Sequence, residues 1–318
     1  MSELQPKTRL DPAGVLGMVF CCLLWGGNAV AVKFSVPAIP PFGCAGLRFA
    51  LALPFFAWFC KRSGQPLFPP RSLWWLLVIN TAFTLLQIGS FQWGTGLSQA
   101  GRASVFINVH PLVVAPLAWL VLGEHMGVRG VLGLLAAAGG VMVLLGRSFE
   151  AAGPIHSPSE MLGDSIVLLS GITFGVQTIA QKLTFPRIPP LTLLFSQTAL
   201  AMPVFFGMSA VLEGFSNYHF TVESVGGLLF QGLFASALCF SLWLTLLRVY
   251  PAGRLATLAF LAPFFGVGLS VLLKGEPLTL SLAVGGALVG LGIWLVASAR
   301  ADRPASRVVA EPLLGTTR

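Results

Sequence analysis

Long apolar segments alternate with short polar connectors along almost the whole chain. Ten of these segments are close to the ~20 residues that an α-helix needs to cross the hydrocarbon core of a bilayer. They cover residues 14–33, 42–60, 72–93, 101–122, 128–146, 161–183, 191–212, 224–247, 253–273 and 280–299. The pattern predicts an all-α integral membrane protein with ten transmembrane helices, in which Gly-Glu pairs mark tight reversals at 123–127 and 274–279.

The second half of the chain repeats the first. One group of residues returns after 149 positions and a later group returns after 152 positions. The matched positions are Gly26 and Gly175, Lys33 and Lys182, Ile39-Pro40-Pro41 and Ile188-Pro189-Pro190, Ala100-Gly101-Arg102 and Ala252-Gly253-Arg254, Pro111 and Pro263, Gly123-Glu124 and Gly275-Glu276, Gly133 and Gly285, and Gly140 and Gly292. Offsets held over such spans are the signature of an internal repeat.

Each copy contains five crossings, and an odd number of crossings places the second copy upside down relative to the first. The sequence therefore predicts two inverted-topology five-helix repeats, related by a pseudo-two-fold axis in the membrane plane. This architecture is characteristic of secondary transporters. The expected parts are a cytoplasmic tail (1–12), the first repeat (13–146), a periplasmic linker (147–160), the second repeat (161–299) and a second cytoplasmic tail (300–318).

Composition agrees with a chain that lies in a lipid bilayer. Hydrophobic residues make up 55% of it and charged residues 9%, with a mean hydropathy of +0.84, whereas soluble chains average ~25% charged residues. The net charge of +8 does not indicate nucleic-acid binding, because the basic residues lie between apolar segments rather than on one exposed face.

The distribution of Lys and Arg predicts the orientation. With the N-terminus inside, fourteen of the 19 basic residues fall on inner segments, four (Lys33, Arg102, Arg147 and Lys274) on outer segments, and Arg48 within a helix. Cytoplasmic loops retain Lys and Arg. Both termini are therefore expected to be cytoplasmic, in the cell (inner) membrane.

The sequence does not favour an enzyme. It lacks HExxH, GxSxG, the phosphate-binding GxxxxGK[ST] and paired carboxylates within helices. The five cysteines show neither a disulfide framework nor metal-ligand spacing. We expect no cofactor and no metal. A sensor or scaffold would normally carry a sizeable soluble domain, and the predicted tails are short, which leaves a carrier of small molecules.

Several motifs resemble the EamA family of the drug/metabolite transporter superfamily. Those similar to its first helical hairpin are Leu24-Trp25-Gly26-Gly27-Asn28, Lys33, Ile39-Pro40-Pro41 and Leu47-Arg48-Phe49, and those similar to its fourth helix and following turn are Ala100-Gly101-Arg102, Pro111 and Gly123-Glu124. The resemblance runs from about residue 12 to residue 299. It implies an exporter-like carrier of amino acids or other small metabolites that works by alternating access around a central cavity. A carrier of lipid-like or nucleotide-sugar substrates is the alternative within the superfamily.

Polar residues inside the predicted helices are the candidate substrate site, because they are costly in lipid and usually face a cavity or a partner. The candidates are Trp25, Asn28, Arg48, Asn80, Thr84, Gln87, Asn108, His110, Gln177 and Gln181. Asn28 and Gln177 are repeat partners, so the pseudo-symmetry predicts that they face each other across one cavity. The alternative is hydrogen bonding between helices, which contributes ~0.6 kcal/mol per bond on average in membranes.

Two candidates have competing interpretations. His110 could accept a coupling proton or be satisfied by a neighbouring group, and it lies about 200° around a regular helix from Asn108. Both therefore cannot point into one cavity, and Asn108 is favoured. Arg48, roughly 9 Å below the outer end of its helix, either extends its guanidinium towards water or docks a carboxylate or phosphate. Specificity is expected where the copies differ, at Asn108 against Phe260 and at His110 against Ala262.

Small and aromatic residues carry two further alternatives. Small residues spaced four apart, such as Gly133 and Ala137, Ala136 and Gly140, and Gly286 and Gly290, allow helices to approach closely, either within the chain or in a homodimer. The aromatic residues Trp93, Trp243, Phe264 and Phe265 line an apolar pocket or face lipid.

Overall fold

The computed structural model describes residues 10–98, 100–151, 157–265 and 280–298, and these are helical without any β-strand. The helices are α1 (Pro12–Ser35), α2 (Pro41–Arg62), α3 (Trp74–Leu97), α4 (Ala100–Ile107), α5 (His110–Leu122), α6 (Val128–Ala151), α7 (Pro158–Thr184), α8 (Pro190–Leu212), α9 (Val222–Leu229), α10 (Cys239–Val249), α11 (Ala252–Leu258) and α12 (Leu280–Ser298). A π-helix, Phe230–Leu238, joins α9 to α10, and 3-10 turns cover Arg71–Leu73, Phe215–Asn217 and Ala259–Leu261. The all-α prediction is confirmed for these residues.

Six helical segments in the described residues are long and apolar enough to cross a membrane: Pro12–Ser35, Pro41–Arg62, Arg71–Leu97, Pro158–Thr184, Pro190–Leu212 and Val222–Val249. Shorter apolar helices lie where the other four crossings are predicted, at His110–Leu122, Val128–Val143, Ala252–Phe265 and Val284–Val296. Each of the ten predicted segments therefore contains helix, and the chain is a multi-pass membrane protein.

Proline determines where four of the long helices begin. Pro12, Pro41, Pro158 and Pro190 occupy the first helical positions of α1, α2, α7 and α8. Proline is favoured there because its fixed φ suits a helix and its missing N–H would have no partner in the first turn. Asp11 adds a cap to α1 by accepting a backbone N–H of the first turn at 2.9 Å.

The fourth predicted helix is broken into two. α4 ends at Ile107 and α5 begins at His110, so Pro111 lies in the first turn of α5. In the ninth predicted helix, a 3-10 turn at Ala259–Leu261 comes shortly before Pro263. Proline lacks a donor and its ring crowds the carbonyl four residues earlier. In each case the irregular residues precede the proline.

The turn after α5 forms as predicted at Gly123. This residue has φ of 65° and closes the helix through its N–H, which donates to the Ala118 carbonyl. A left-handed C-cap of this kind favours glycine. The second predicted reversal, Gly275-Glu276, lies outside the described residues, as do the tails at 1–9 and 299–318 and the linker residues 152–156.

Helix α3 packs antiparallel against α7. Near one end of this contact, a Cβ placed on Gly163 would lie 2.7 Å from the backbone nitrogen of Ser98, so the two backbone segments approach closely. Further along, the Ser170 hydroxyl donates to the Gln87 carbonyl at 2.7 Å. These contacts join a helix of the first half to a helix of the second.

Helix α1 packs in the same way against α9, the π-helix and α10. A Cβ placed on Gly14 would lie 2.6 Å from the Tyr250 ring, and the Cys21 thiol donates to the Cys239 carbonyl at 3.7 Å. Gly14 and Cys21 lie 149 positions before the α7 residues of the preceding contact, and Tyr250 and Cys239 lie 152 positions after the α3 residues. The two contacts therefore join repeat-related positions.

Helices α2 and α8 also pack together and cap each other's N-terminus. The Glu213 carboxylate accepts from the Phe42 N–H at 2.8 Å, and the Gln65 side chain accepts from the Leu191 N–H at 3.2 Å. The donors Phe42 and Leu191 are 149 positions apart and are repeat partners, whereas the acceptors Glu213 and Gln65 are not. Burial raises the pKa of the Tyr218 phenol in the same connector as Glu213, which keeps it a neutral hydrogen-bonding group.

Helices α6 and α12 approach each other through glycine. A Cβ on Gly133 would lie 2.6 Å from the Gly292 carbonyl oxygen, and a Cβ on Gly140 would lie 2.6 Å from the Gly285 carbonyl oxygen. The small residues therefore serve contact within the chain. Gly290, by contrast, has no neighbouring atom within 4 Å of a Cβ placed there.

Candidate functional site

Six of the ten candidate residues line one cavity, which we call the arginine cavity. They are Trp25, Asn28, Arg48, Gln87, Asn108 and His110. The cavity measures about 660 Å³ including the space at its mouth. Phe174 of α7 and Phe240 of α10 also line it. Both halves of the chain therefore contribute to the cavity, although its polar candidates all come from the first half.

Three further candidates line a neighbouring space of about 350 Å³, which we call the glutamine cavity. They are Thr84, Gln177 and Gln181, and they are joined there by Gln87, which lines both cavities, and by Gln197. The Gln177 side-chain amide donates to the Thr84 hydroxyl at 2.8 Å. The predicted interhelical hydrogen bond therefore exists for this residue, while Gln177 also borders the cavity.

Aromatic rings separate the two cavities, and they correct one prediction. The Trp25 ring centroid lies 5.8 Å from that of Phe174 and 6.1 Å from that of Phe240. Because Phe174 and Phe240 line both cavities, they form a shared wall. Asn28 borders the arginine cavity and Gln177 the glutamine cavity, so the two do not face each other across one space as predicted.

Asn108 and His110 both line the arginine cavity, contrary to the prediction that only one of them could point into it. The prediction assumed a continuous helix, whereas α4 ends before Asn108 and α5 begins at His110. The His110 Nδ1 lies 3.2 Å from the Ile107 carbonyl oxygen, its Nε2 has no partner, and its ring lies 4.7 Å from that of Phe174. The break in the helix brings both residues to one space.

Asn80 lines neither cavity. Its side-chain amide donates to the Leu76 carbonyl at 2.9 Å and to the Thr184 hydroxyl at 3.0 Å. These bonds connect α3 to α7 at the end of their contact. Of the ten candidates, Asn80 is the one whose position fits only the alternative of hydrogen bonding between helices.

Arg48 does not extend towards water. The residue is 1% exposed, and its Nε donates to the Ser236 hydroxyl in the π-helix at 2.9 Å. Its Nη1 is buried without a hydrogen-bond partner. The interpretation that Arg48 reaches the membrane surface along its own stem is therefore wrong, since the helices of the second half cover it.

Two polar residues near Arg48 line neither cavity and were not among the candidates. Ser236 and Gln231 are polar residues inside the predicted eighth helix and meet the criterion that selected the other candidates. Gln231 accepts from the Gln92 amide at 2.7 Å and donates to the Ser35 hydroxyl at 2.9 Å, forming a buried polar cluster beside Arg48's helix. Phe174 carries no such signal, since an apolar residue in an apolar helix is ordinary.

Of the four aromatic residues named as pocket candidates, one lines a cavity and three do not. Trp243 is fully buried and lines the glutamine cavity. Trp93 is 44% exposed on the outside of the helices. Phe264 packs with the α6–α12 cluster, and Phe265 packs against the main apolar core.

Metal chemistry has no evident place in the part of the chain that the structure describes, where no group of three or more His, Cys, Asp or Glu side chains could hold an ion. The cysteines are all buried and free.

Apolar helices long enough to cross a membrane, with partly polar cavities enclosed among them, define the class of integral membrane transport proteins. A profile of the EamA-like transporter family matches residues 12–146 and again residues 161–298. The chain belongs to this family, within the drug/metabolite transporter superfamily that the sequence motifs resemble.

Curated relatives resemble the chain over nearly its full length. The uncharacterized transporter YoaV of Bacillus subtilis is 23% identical over 88% of this chain and 95% of its own length. YvbV of the same organism is 28% identical over 92% of each chain. A "Probable amino-acid metabolite efflux pump" of Escherichia coli is 26% identical over 89% of this chain and 93% of its own length. Relatives named as transporters or efflux pumps agree with the prediction that this chain is not an enzyme.

A crystal structure of another protein shows the same fold. It superposes with a TM-score of 0.73 at 21% identity, over 89% of this chain and 95% of that chain.

Proposed function

We propose that this transporter is a secondary carrier that exports amino acids or other small metabolites across the plasma membrane. In this proposal, ten crossings form two inverted five-helix repeats, and access alternates between the two sides of the membrane around a central site. The site consists of the arginine cavity and the glutamine cavity with the aromatic wall between them.

The repeat-related contacts support the inverted repeat. When two copies of one unit face each other across a two-fold axis, a contact between residues i and j of opposite copies recurs between their partners. Gly133 lies on Gly292 and Gly140 lies on Gly285, and each member of one contact has its partner in the other. The α3–α7 and α1–α10 contacts obey the same rule.

The single observation that carries the proposal is the pair of adjacent cavities walled by both halves. Secondary transporters of inverted topology bind substrate near the bilayer midplane where the repeats meet. Asn28 and Asn108 come from the first half and Phe174 and Phe240 from the second, and all four line the arginine cavity.

The relatives' names favour export, and the basic residues favour cytoplasmic termini. The Escherichia coli relative is named as an efflux pump for amino-acid metabolites. In the proposed orientation the exposed Ser72 lies on the cytoplasmic side and the exposed Ser159 on the opposite side. Lipid-like or nucleotide-sugar substrates are the competing class.

The test is efflux from proteoliposomes loaded with a ¹³C-labelled cell extract, with mass spectrometry of the external medium. The labelled extract presents many metabolites to the carrier at once, and the transported ones are those that are detected in the external medium. We expect a small set of polar metabolites to leave faster than from protein-free liposomes. Asn28→Ala and Gln177→Leu should lower that rate by about tenfold or more, since one lost hydrogen bond to a charged group corresponds to ~1.5–3 kcal/mol.

Asn80→Ala is the matched control, because it removes an amide from α3 outside both cavities. Asn80→Ala should lower the free energy of unfolding. The efflux rate per folded protein should stay close to that of the wild type. Normal efflux by both cavity variants would show that the cavities are not the route. Efflux of lipids or sugar nucleotides instead would show that the substrates are of that class and are not amino acids or other small metabolites.

A further inference from the structure

Arg48 is a buried cation that has no counter-ion among the residues that the structure describes. Among the described residues its side chain forms one hydrogen bond, to the neutral Ser236, and no ion pair. Its Nη1 is left without a partner although the residue lines the arginine cavity. A buried ion costs several kcal/mol unless its charge is compensated. The described part of the chain does not compensate it.

The rest of the cavity wall is neutral or apolar. No Asp or Glu among the described residues lines the arginine cavity, and its other polar side chains are amides, a serine and His110. The remaining lining includes Trp25, Phe91, Phe174 and Phe240. The cavity therefore combines one fixed positive charge with aromatic walls.

We propose that the arginine cavity binds an organic monoanion, whose carboxylate pairs with Arg48 and whose apolar body packs against Trp25, Phe174 and Phe240. This inference rests on the proposed function, since it identifies the substrate class of that same cavity. A guanidinium presents a planar set of donors that matches a carboxylate. One cation balances a single negative charge, so a phosphate dianion would remain partly uncompensated.

The repeat supports a special role for this residue. The repeat partner of Arg48 is Gln197, which lines the glutamine cavity. The fold therefore accommodates a neutral amide of similar length at the equivalent position. Packing alone does not require a cation, and Arg48→Gln imitates a substitution that the second half already contains.

The experiment compares three probes of nearly equal shape: 3-phenylpropionate, 3-phenylpropionamide and 3-phenylpropylamine. Binding to the purified full-length protein in detergent is measured by thermal unfolding and by tryptophan fluorescence, because Trp25 lines the cavity. We expect the wild type to bind the carboxylate at least tenfold more tightly than the amide, and to bind the amine more weakly still. Arg48→Gln should make the carboxylate and amide affinities equal.

Lys33→Gln is the control for a general loss of charge, because Lys33 donates to the Gly96 carbonyl and does not line the cavity. It should keep the carboxylate preference. If Arg48→Gln does not fold, Arg48→Lys replaces it, and should weaken carboxylate binding several-fold while amide binding is unchanged. A wild type without carboxylate preference overturns the proposal. So does a preference that Arg48→Gln leaves intact, or carboxylate binding that Arg48→Lys does not weaken.

The binding assay separates this inference from the proposed function. Arg48-dependent carboxylate binding without any efflux from liposomes would support the anion site and contradict the proposal that the protein is a carrier. Efflux of neutral or cationic compounds that Arg48→Gln does not alter would support the carrier and contradict the anion site.

Discussion

The contact between α6 and α12 and the centre formed by α1, α3, α7 and α10 are built on opposite principles. In the α6–α12 contact the repeat partners are identical, since Gly133 matches Gly285 and Gly140 matches Gly292. The backbones touch and leave no room for a side chain. In the centre, partners differ, as with Asn28 and Gln177, and cavities form beside them. Identity between the copies marks scaffold, and difference marks the site.

The reason is geometric. A contact on the pseudo-two-fold axis is made twice by the same residues, so close packing requires the same small residue in both copies. A substrate in contact with both copies is not itself two-fold symmetric, so recognition requires different side chains on its two sides. Arg48 against Gln197 is the clearest such difference in charge.

The largest effect should come from filling the scaffold contact. Gly140→Ala adds a methyl group 2.6 Å from the Gly285 carbonyl oxygen, and backbone on both sides resists movement. Overpacking of this kind costs ~1–3 kcal/mol. We expect a lower midpoint of thermal unfolding in detergent.

Gly139→Ala is the matched control in the adjacent position, where a methyl group meets no atom within 4 Å. It should be neutral or stabilising, because alanine exceeds glycine in helix propensity by up to ~1 kcal/mol. Equal unfolding midpoints for the two variants would contradict the account of the α6–α12 contact as a closely packed scaffold.

The sequence was sufficient for the helices and for much of the site. Apolar length placed the six long helical segments and the four shorter apolar helices of the described residues. The criterion of polar residues within helices selected nine residues that line the cavities. Both succeed because a bilayer forces backbone groups into helices and makes a polar side chain costly unless it faces a cavity or partner. Asn80 shows that the criterion alone does not separate these two outcomes.

What the sequence did not reveal depends on departures from regular helix and on contact between distant segments. The break before His110 allows two residues on opposite helix faces to share a cavity. The π-helix that holds Ser236 next to Arg48 has no recognised signal in the apolar segment. Phe174 lines both cavities and packs against Trp25, a contact between residues 149 positions apart that periodicity does not encode.

A smaller effect on stability is expected at an ion pair whose two residues are identical in both copies, as in the scaffold contact. The Lys182 Nζ lies 2.9 Å from a Glu124 carboxylate oxygen and joins the second half to the first. Both residues recur in the other copy, as Lys33 and Glu276. We expect a coupling of about 1 kcal/mol in a double-mutant cycle with Lys182→Met and Glu124→Gln, because both partners are partly exposed.

The cycle is measured by thermal unfolding, and the same variants are assayed for efflux. Carboxylate selectivity should not change in either variant, since neither residue lines a cavity. Altered selectivity would mean that a residue identical in both copies takes part in recognition, and identity between the copies would then not mark scaffold.

The most direct test of alternating access is a single cysteine in the arginine cavity. Ser104→Cys is nearly isosteric and lines that cavity, and the native cysteines are buried. Ser72→Cys and Ser159→Cys serve as controls, expected to react only from the cytoplasmic and only from the opposite side. With a membrane-impermeant thiol reagent, Ser104→Cys should react from each side in turn, in proportions that a transported substrate alters. Reaction from one side only, with and without substrate, would contradict the carrier mechanism.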